Sequence, residues 1–81
     1  MHRIYFDGND FDATGRYLLH LGRSRGEFAK IPGGPREGMQ ITIYMIGEIE
    51  MEAILEWNER WEIWVARPVE GTIRDNHETW D

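Results

Sequence analysis

The chain has 81 residues, with 15 acidic side chains against 9 basic ones and a net charge of -6. That balance gives no electrostatic footprint for a nucleic-acid backbone or an anionic membrane surface. The length sets an expectation of a single domain, and the absence of cysteine excludes disulfides and thiolate chemistry. A chain this size buries only about 60% of its unfolded surface, so extra stability is expected from tryptophan-rich packing or self-association. No signal peptide and no apolar run of about 18 residues is recognised, which leads to the expectation of a cytoplasmic protein that does not enter membranes.

In chain order, His2 to Phe6 reads as a first strand, closed by the turn-forming run Asp7-Gly8-Asn9-Asp10. Asp10, Asp12, Thr14 and Gly15 match the first half of a calcium loop. The position that needs a bidentate glutamate is Leu21, so a turn is expected and no metal. His2, His20 and His77 show no metal-binding spacing. Gly15 to Leu21 is a second candidate strand. Ser24 and Glu27 have the spacing of a capping box, which predicts a short helix over 24–31, stopped by Pro32-Gly33-Gly34-Pro35. The PGGP loop lacks the Lys and Ser/Thr of a phosphate cradle. Ser24 lacks the setting of a nucleophile. No cofactor and no enzymatic role is expected.

The stretch Glu37–Arg67 dominates the reading. Apolar residues recur at every second position through Ile41, Ile43 and Met45, then Ile49 to Trp57, then Trp61, Ile63 and Val65. A period of two predicts three antiparallel strands. With Ile46-Gly47-Glu48 as a loop, Ile43 faces Met51 and Ile41 faces Ala53. With Asn58-Glu59-Arg60 as a loop, Trp57 faces Trp61, Leu55 faces Ile63 and Ala53 faces Val65. Both registers gather the odd-numbered apolar residues on one face. The predicted core is Ile4, Phe6, Leu19, Leu21, Phe28, Ile41, Ile43, Met45, Met51, Ala53, Leu55, Trp57, Ile63 and Val65.

That register leaves Tyr44, Ile54, Trp64 and Ala66 outside, as a candidate interaction surface among the acidic residues Glu50, Glu52, Glu56 and Glu62. It also sets Glu56 opposite Glu62. Pro68 marks a break, and Val69 to Arg74 is read as a turn and a last strand returning near the N-terminus. The domain is expected to span 1–74, with 75–81 a frayed tail.

The pattern REGMQITIY followed by GEIEMEAILEWNERWEIWVARPVEGTI, from Arg36 to Ile73, resembles short uncharacterised bacterial proteins of the kind carried on integron gene cassettes. That resemblance implies a cytoplasmic, often oligomeric protein and supplies no catalytic residues. The expected fold is mainly β: a strongly twisted antiparallel sheet of about five strands, tending to an SH3-like barrel, with one short helix. The expected function is non-enzymatic, a protein-interaction or self-assembling domain, dimeric or higher, acting through Tyr44, Ile54, Trp64 and Ala66. The alternatives are a small-ligand module with Tyr17, Trp57 and Trp61 around a pocket, and an acidic decoy for a basic protein surface.

Overall fold

One long strand organises the molecule. In a computed structural model, which describes residues 1–80, β4 (Ile49–Asn58) runs for 10 residues and pairs with three other strands. β3 (Gln40–Tyr44) lies antiparallel on one side in the register read from the alternation, with Ile41 opposite Ala53 and Ile43 opposite Met51. Gly47, at φ 75, makes the short reversal between them, a conformation that costs a residue without Cβ little.

The other strands are shorter: β1 (Arg3–Tyr5), β2 (Tyr17–Leu18), β5 (Ile63–Pro68) and β6 (Arg74–Asp75). The sheet order is β1-β3-β4-β5-β2, with β6 added on β4 beyond the end of β5. The whole is a strongly curled half-barrel with one short helix, α1 (Gly22–Phe28). The sheet has six strands and is mixed, since β1 runs parallel to β3. Ile4, Phe6, Leu19, Phe28, Ile31, Ile41, Ile43, Met51, Ala53, Leu55 and Ala66 fill its concave side.

The β4–β5 register differs from expectation. Asn58 stays in the strand opposite Ile63, and its Oδ1 accepts the Trp61 N–H at 2.9 Å. The loop is therefore 59–62, closed by Glu62 at φ 54, the one non-glycine with positive φ among the described residues. Trp57 then faces Trp64 instead of Trp61, and Leu55 faces Ala66. A displacement of three residues is odd, so it turns β5 over. Trp64 and Ala66 point to the core side, while Arg67 points outward; Val65 lies on the face of Glu56 yet is buried, as expected, at 2% exposed. Glu56 faces Val65, which removes the expected Glu56–Glu62 clash.

Other core expectations shift with it. Trp57 is 40% exposed, and Leu21, Met45 and Ile63 are only half-buried. Ile31, Tyr44, Ile46 and Ala66 are buried instead. β2 keeps only two paired residues on β5. Its other side is held by backbone bonds across the 10–16 turn, from Asp12 N to Arg16 O and from Leu18 N to Asp10 O.

The helix is not capped as expected. It begins at Gly22 after Leu21, with no side-chain cap, and Ser24 lies within it, fully buried. Ser24 Oγ donates to the Tyr5 carbonyl at 2.5 Å, and Glu27 Oε1 accepts the Tyr5 N–H at 2.7 Å. Residues three apart share a helix face, so the same spacing that suggested a cap clamps α1 onto the free edge of β1. Both backbone groups of Tyr5 on that edge are thereby covered, which blocks pairing with another strand there.

Between β5 and β6, residues 69–73 arch away from β4. The gap is bridged at Glu52, whose carbonyl accepts from Val69 N at 2.9 Å and whose N–H donates to Thr72 Oγ1 at 3.0 Å. The last strand thus pairs with β4 and not near the N-terminus. The segment after it does not hang free. Asn76 is 4% exposed, and its side chain accepts the Gly47 N–H and donates to Glu50 and Glu78. Asp81 lies outside the described residues.

Candidate functional site

The four residues expected to form one outer patch occupy two faces. Tyr44 and Ile54 point outward from β3 and β4, while Trp64 and Ala66 point inward from β5. Tyr44 is 2% exposed and Ala66 is fully buried. Ile54 is half-buried between Gln40 and Arg67, its partners on either side. The exposed Ile–Trp pair is therefore absent. The register flip is the cause.

The expected pocket residues are likewise separated. Tyr17 packs at a tilt against Phe6, with ring centroids 4.8 Å apart, and lines an apolar cleft of about 270 Å³ with Met51, Pro68, Val69 and Ile73 under the 69–73 arch. Trp57 borders a different, more polar cleft of about 250 Å³, with Asp12, Arg16 and Glu56. Trp61 lies on the loop beyond.

Near the tip of the β4–β5 hairpin the structure pairs two tryptophans and leaves a third, Trp61, exposed in the loop. Trp57 and Trp64 pack edge to face at 5.2 Å. Trp57 remains 40% exposed and Trp61 49% exposed. The backbone beneath is fixed: Trp57 N–H donates to Glu37 Oε2 at 2.8 Å, and Trp61 N–H to Asn58. Two large indoles, Trp57 near the end of β4 and Trp61 in the loop that follows, thus stand on hydrogen-bonded backbone with much of their area in water. Half-exposed tryptophans on a rigid support are what interface anchors are made of. The alternation assigns Trp57 to the core, whereas the structure leaves it 40% exposed.

Two glutamates of the acidic ladder, Glu56 and Glu50, are neutralised within the chain. Glu56 is held between Arg16 and Arg67, the latter at 3.0 Å. Glu50 pairs with Arg74 at 2.9 Å and with Asn76, and Glu52 accepts from Gln40. The hydrogen bond from Arg16 depresses the Glu56 pKa below the ordinary carboxylate value. Partial burial opposes this, and Arg67 reinforces it. A carboxylate with a depressed folded-state pKa stabilises the fold above its unfolded pKa, and that contribution is lost as pH falls through the folded value. Melting temperature is therefore expected to drop on the acid side of the ordinary carboxylate range. Glu56→Gln should melt lower at neutral pH and show a shallower acid slope, as read by circular dichroism across pH. Parallel acid slopes in both proteins would refute the assignment.

The loop that suggested calcium is a self-satisfied turn. Asp12 Oδ1 accepts from Thr14 N at 2.8 Å, Thr14 Oγ1 at 2.6 Å and Arg16 N at 3.0 Å, and Asp10 pairs with exposed His20. Burial pushes the Asp12 pKa up, but these bonds outweigh it and the net shift is downward. Among the described residues no group of three or more His, Asp or Glu side chains is placed to hold a metal, and no helix is long and apolar enough to cross a membrane.

Comparison with protein-family models, curated proteins and solved structures finds no significant match for this chain.

Proposed function

We propose that this chain is a non-enzymatic interaction domain that self-associates through the tryptophan tip of the β4–β5 hairpin. The observation that carries this reading is the half-exposure of Trp57, near the end of β4, and of Trp61, in the loop after it, both with their backbone N–H groups hydrogen-bonded. A two-fold contact lays the same patch on itself, and paired indoles add edge-to-face energy to the area they bury. A small chain with a limited core gains most from such a contact.

Light scattering tests it. The wild type is expected to be a dimer or higher at micromolar concentration, and Trp61→Glu is expected to shift it to monomer by at least about tenfold in dissociation constant, the scale of an interface hot spot. Lys30→Glu, at an exposed position in the turn after α1, should leave the assembly unchanged. A monomeric wild type, or assembly indifferent to Trp61, would remove the proposal.

The arched segment 69–73 favours a second reading, a site for a small apolar ligand between Tyr17, Met51 and Ile73. Its volume, about 270 Å³, sits just under the roughly 300 Å³ at which ligand pockets begin. The decoy reading has less support, because Arg16, Arg67 and Arg74 already neutralise two of the glutamates it would present.

A further inference from the structure

The segment after β6 lies across the outer face of β1 and β3 in a defined way. Arg3 stands over the Tyr44 ring, with its guanidinium carbon 4.2 Å from the centroid, and forms an ion pair with Glu78. The Arg23 guanidinium lies 5.5 Å from the Tyr5 ring, 5.9 Å from Tyr44 and 5.2 Å from Trp80. Trp80 meets Tyr5 edge to face at 5.9 Å. Two arginines and two tyrosines, drawn from β1, β3 and α1, thus receive one carboxylate and one indole placed two residues apart.

The attachment is graded. Asn76 is buried and bonded at both ends of its amide, but past it the contacts are exposed. The Arg3 and Glu78 side chains retain 42% and 45% of their surface, and Trp80 retains 60%. Exposed ion pairs and cation–π contacts are individually weak and, for the ion pair, screened by salt. Residues 77–80 therefore belong to the low-stability end of the molecule, where local opening is frequent. The receiving groups are different. Tyr44 is packed down, with its hydroxyl donating to Glu27 and accepting from Arg23 Nε at 3.3 Å. Tyr5 is fixed at both backbone groups by the helix. A preformed receptor surface carries a loosely held occupant.

We propose that the Arg3–Tyr5–Arg23–Tyr44 surface is a recognition site for an acidic–aromatic peptide of the form Glu-x-Trp on another protein, and that the chain's own Glu78–Trp80 segment is its resident competitor. The chemistry of the occupant is written in the contacts: Arg3 selects the carboxylate, and Arg23 with Tyr5 selects the aromatic ring. A partner segment gains access when the resident one opens, so its apparent affinity is reduced by the closed fraction. This surface lies away from the hairpin tip and does not depend on self-association there.

The test uses the full chain with its resident segment disabled, Glu78→Ala with Trp80→Ala, titrated by NMR with the synthetic peptide DNHETW. Saturable shifts at the amides of residues 3–5, 23 and 44 are expected. Affinity should fall about tenfold or more when the peptide glutamate becomes lysine or its tryptophan alanine. The undisabled chain should bind more weakly than the disabled one. Arg3→Glu should lose the native peptide and accept the lysine version, a reversal that a merely disturbed fold would not produce. Absence of saturable shifts at millimolar peptide, or indifference to the charge swap, overturns the proposal. A wild-type dimer that Trp80→Ala dissolves and Trp61→Glu leaves intact would assign the surface to the exchanged segment of a second copy, and would also overturn it.

Discussion

Leu55→Ala is expected to destabilise the fold by about 2–5 kcal/mol, read as a fall in melting temperature of at least about 10 °C. Leu55 is fully buried at the centre of β4, opposite Ala66 and on the same face as Ala53 and Met51. Its neighbour across β5 is an alanine, so no large side chain there can swing in to fill the space. The cost should lie toward the upper end of the range for that reason. The backbone is also committed here, since Leu55 N–H donates to Met39 O at 2.9 Å and its carbonyl accepts from Gly38 N at 2.8 Å. Relaxation by strand movement would break both bonds. Leu55→Met, which nearly conserves volume, should cost under about 1.5 kcal/mol. Equal melting points for the alanine and methionine variants would show that Leu55 does not sit in the packed interior described above.

Glu27→Ala is expected to be the most damaging change to a charged residue. The carboxylate accepts the Tyr5 N–H at 2.7 Å and the Tyr44 hydroxyl hydrogen. Removing it strands a partly buried backbone donor, at about 1–3 kcal/mol. The Tyr44 hydroxyl loses its acceptor but keeps Arg23 as a donor. Glu27→Gln retains a carbonyl that can accept from Tyr5 and an amide that can donate to Tyr44, so it should restore most of the loss. Burial first, and the bond to Glu27 second, raise the Tyr44 pKa above the ordinary tyrosine value. The alanine variant should therefore also titrate Tyr44 at lower pH, seen in the ultraviolet absorbance of tyrosinate. Hydrogen exchange at the Tyr5 amide gives the most direct readout, since it should accelerate in Glu27→Ala and return in Glu27→Gln. An unaltered exchange rate would mean that the helix does not clamp the β1 edge.

The legible part of this fold was the part governed by local rules. The β3–β4 hairpin follows from alternation plus Gly47, a residue that can adopt the reversal it occupies. The β4–β5 hairpin obeys the same alternation, yet Asn58 used its side chain to cap the loop from within the strand, and Glu62 took a strained backbone angle that no propensity would assign to it. One misplaced turn moved Trp64 and Ala66 to the inside and dissolved the expected patch. The spacing of Ser24 and Glu27 predicts a capping box, and the helix has no side-chain cap. Their partners lie about 20 residues upstream on β1, and a purely local reading of i, i+3 spacing has no way to name them. The final segment looked polar enough to fray. Asn76 holds it because four of its amide contacts are specific, and such geometry leaves no trace in composition.

The parallel pairing of β1 with β3 has a consequence for how the molecule assembles. Arg3 meets Thr42 and Tyr5 meets Tyr44, so the first strand is joined to the sheet across nearly half the sequence, whereas β3, β4 and β5 zip together through adjacent turns. Closing the larger loop carries the greater entropic penalty and has to wait for a surface to dock on. During synthesis, β1 must idle, unpaired, until the ribosome has delivered the central hairpin that gives it a place.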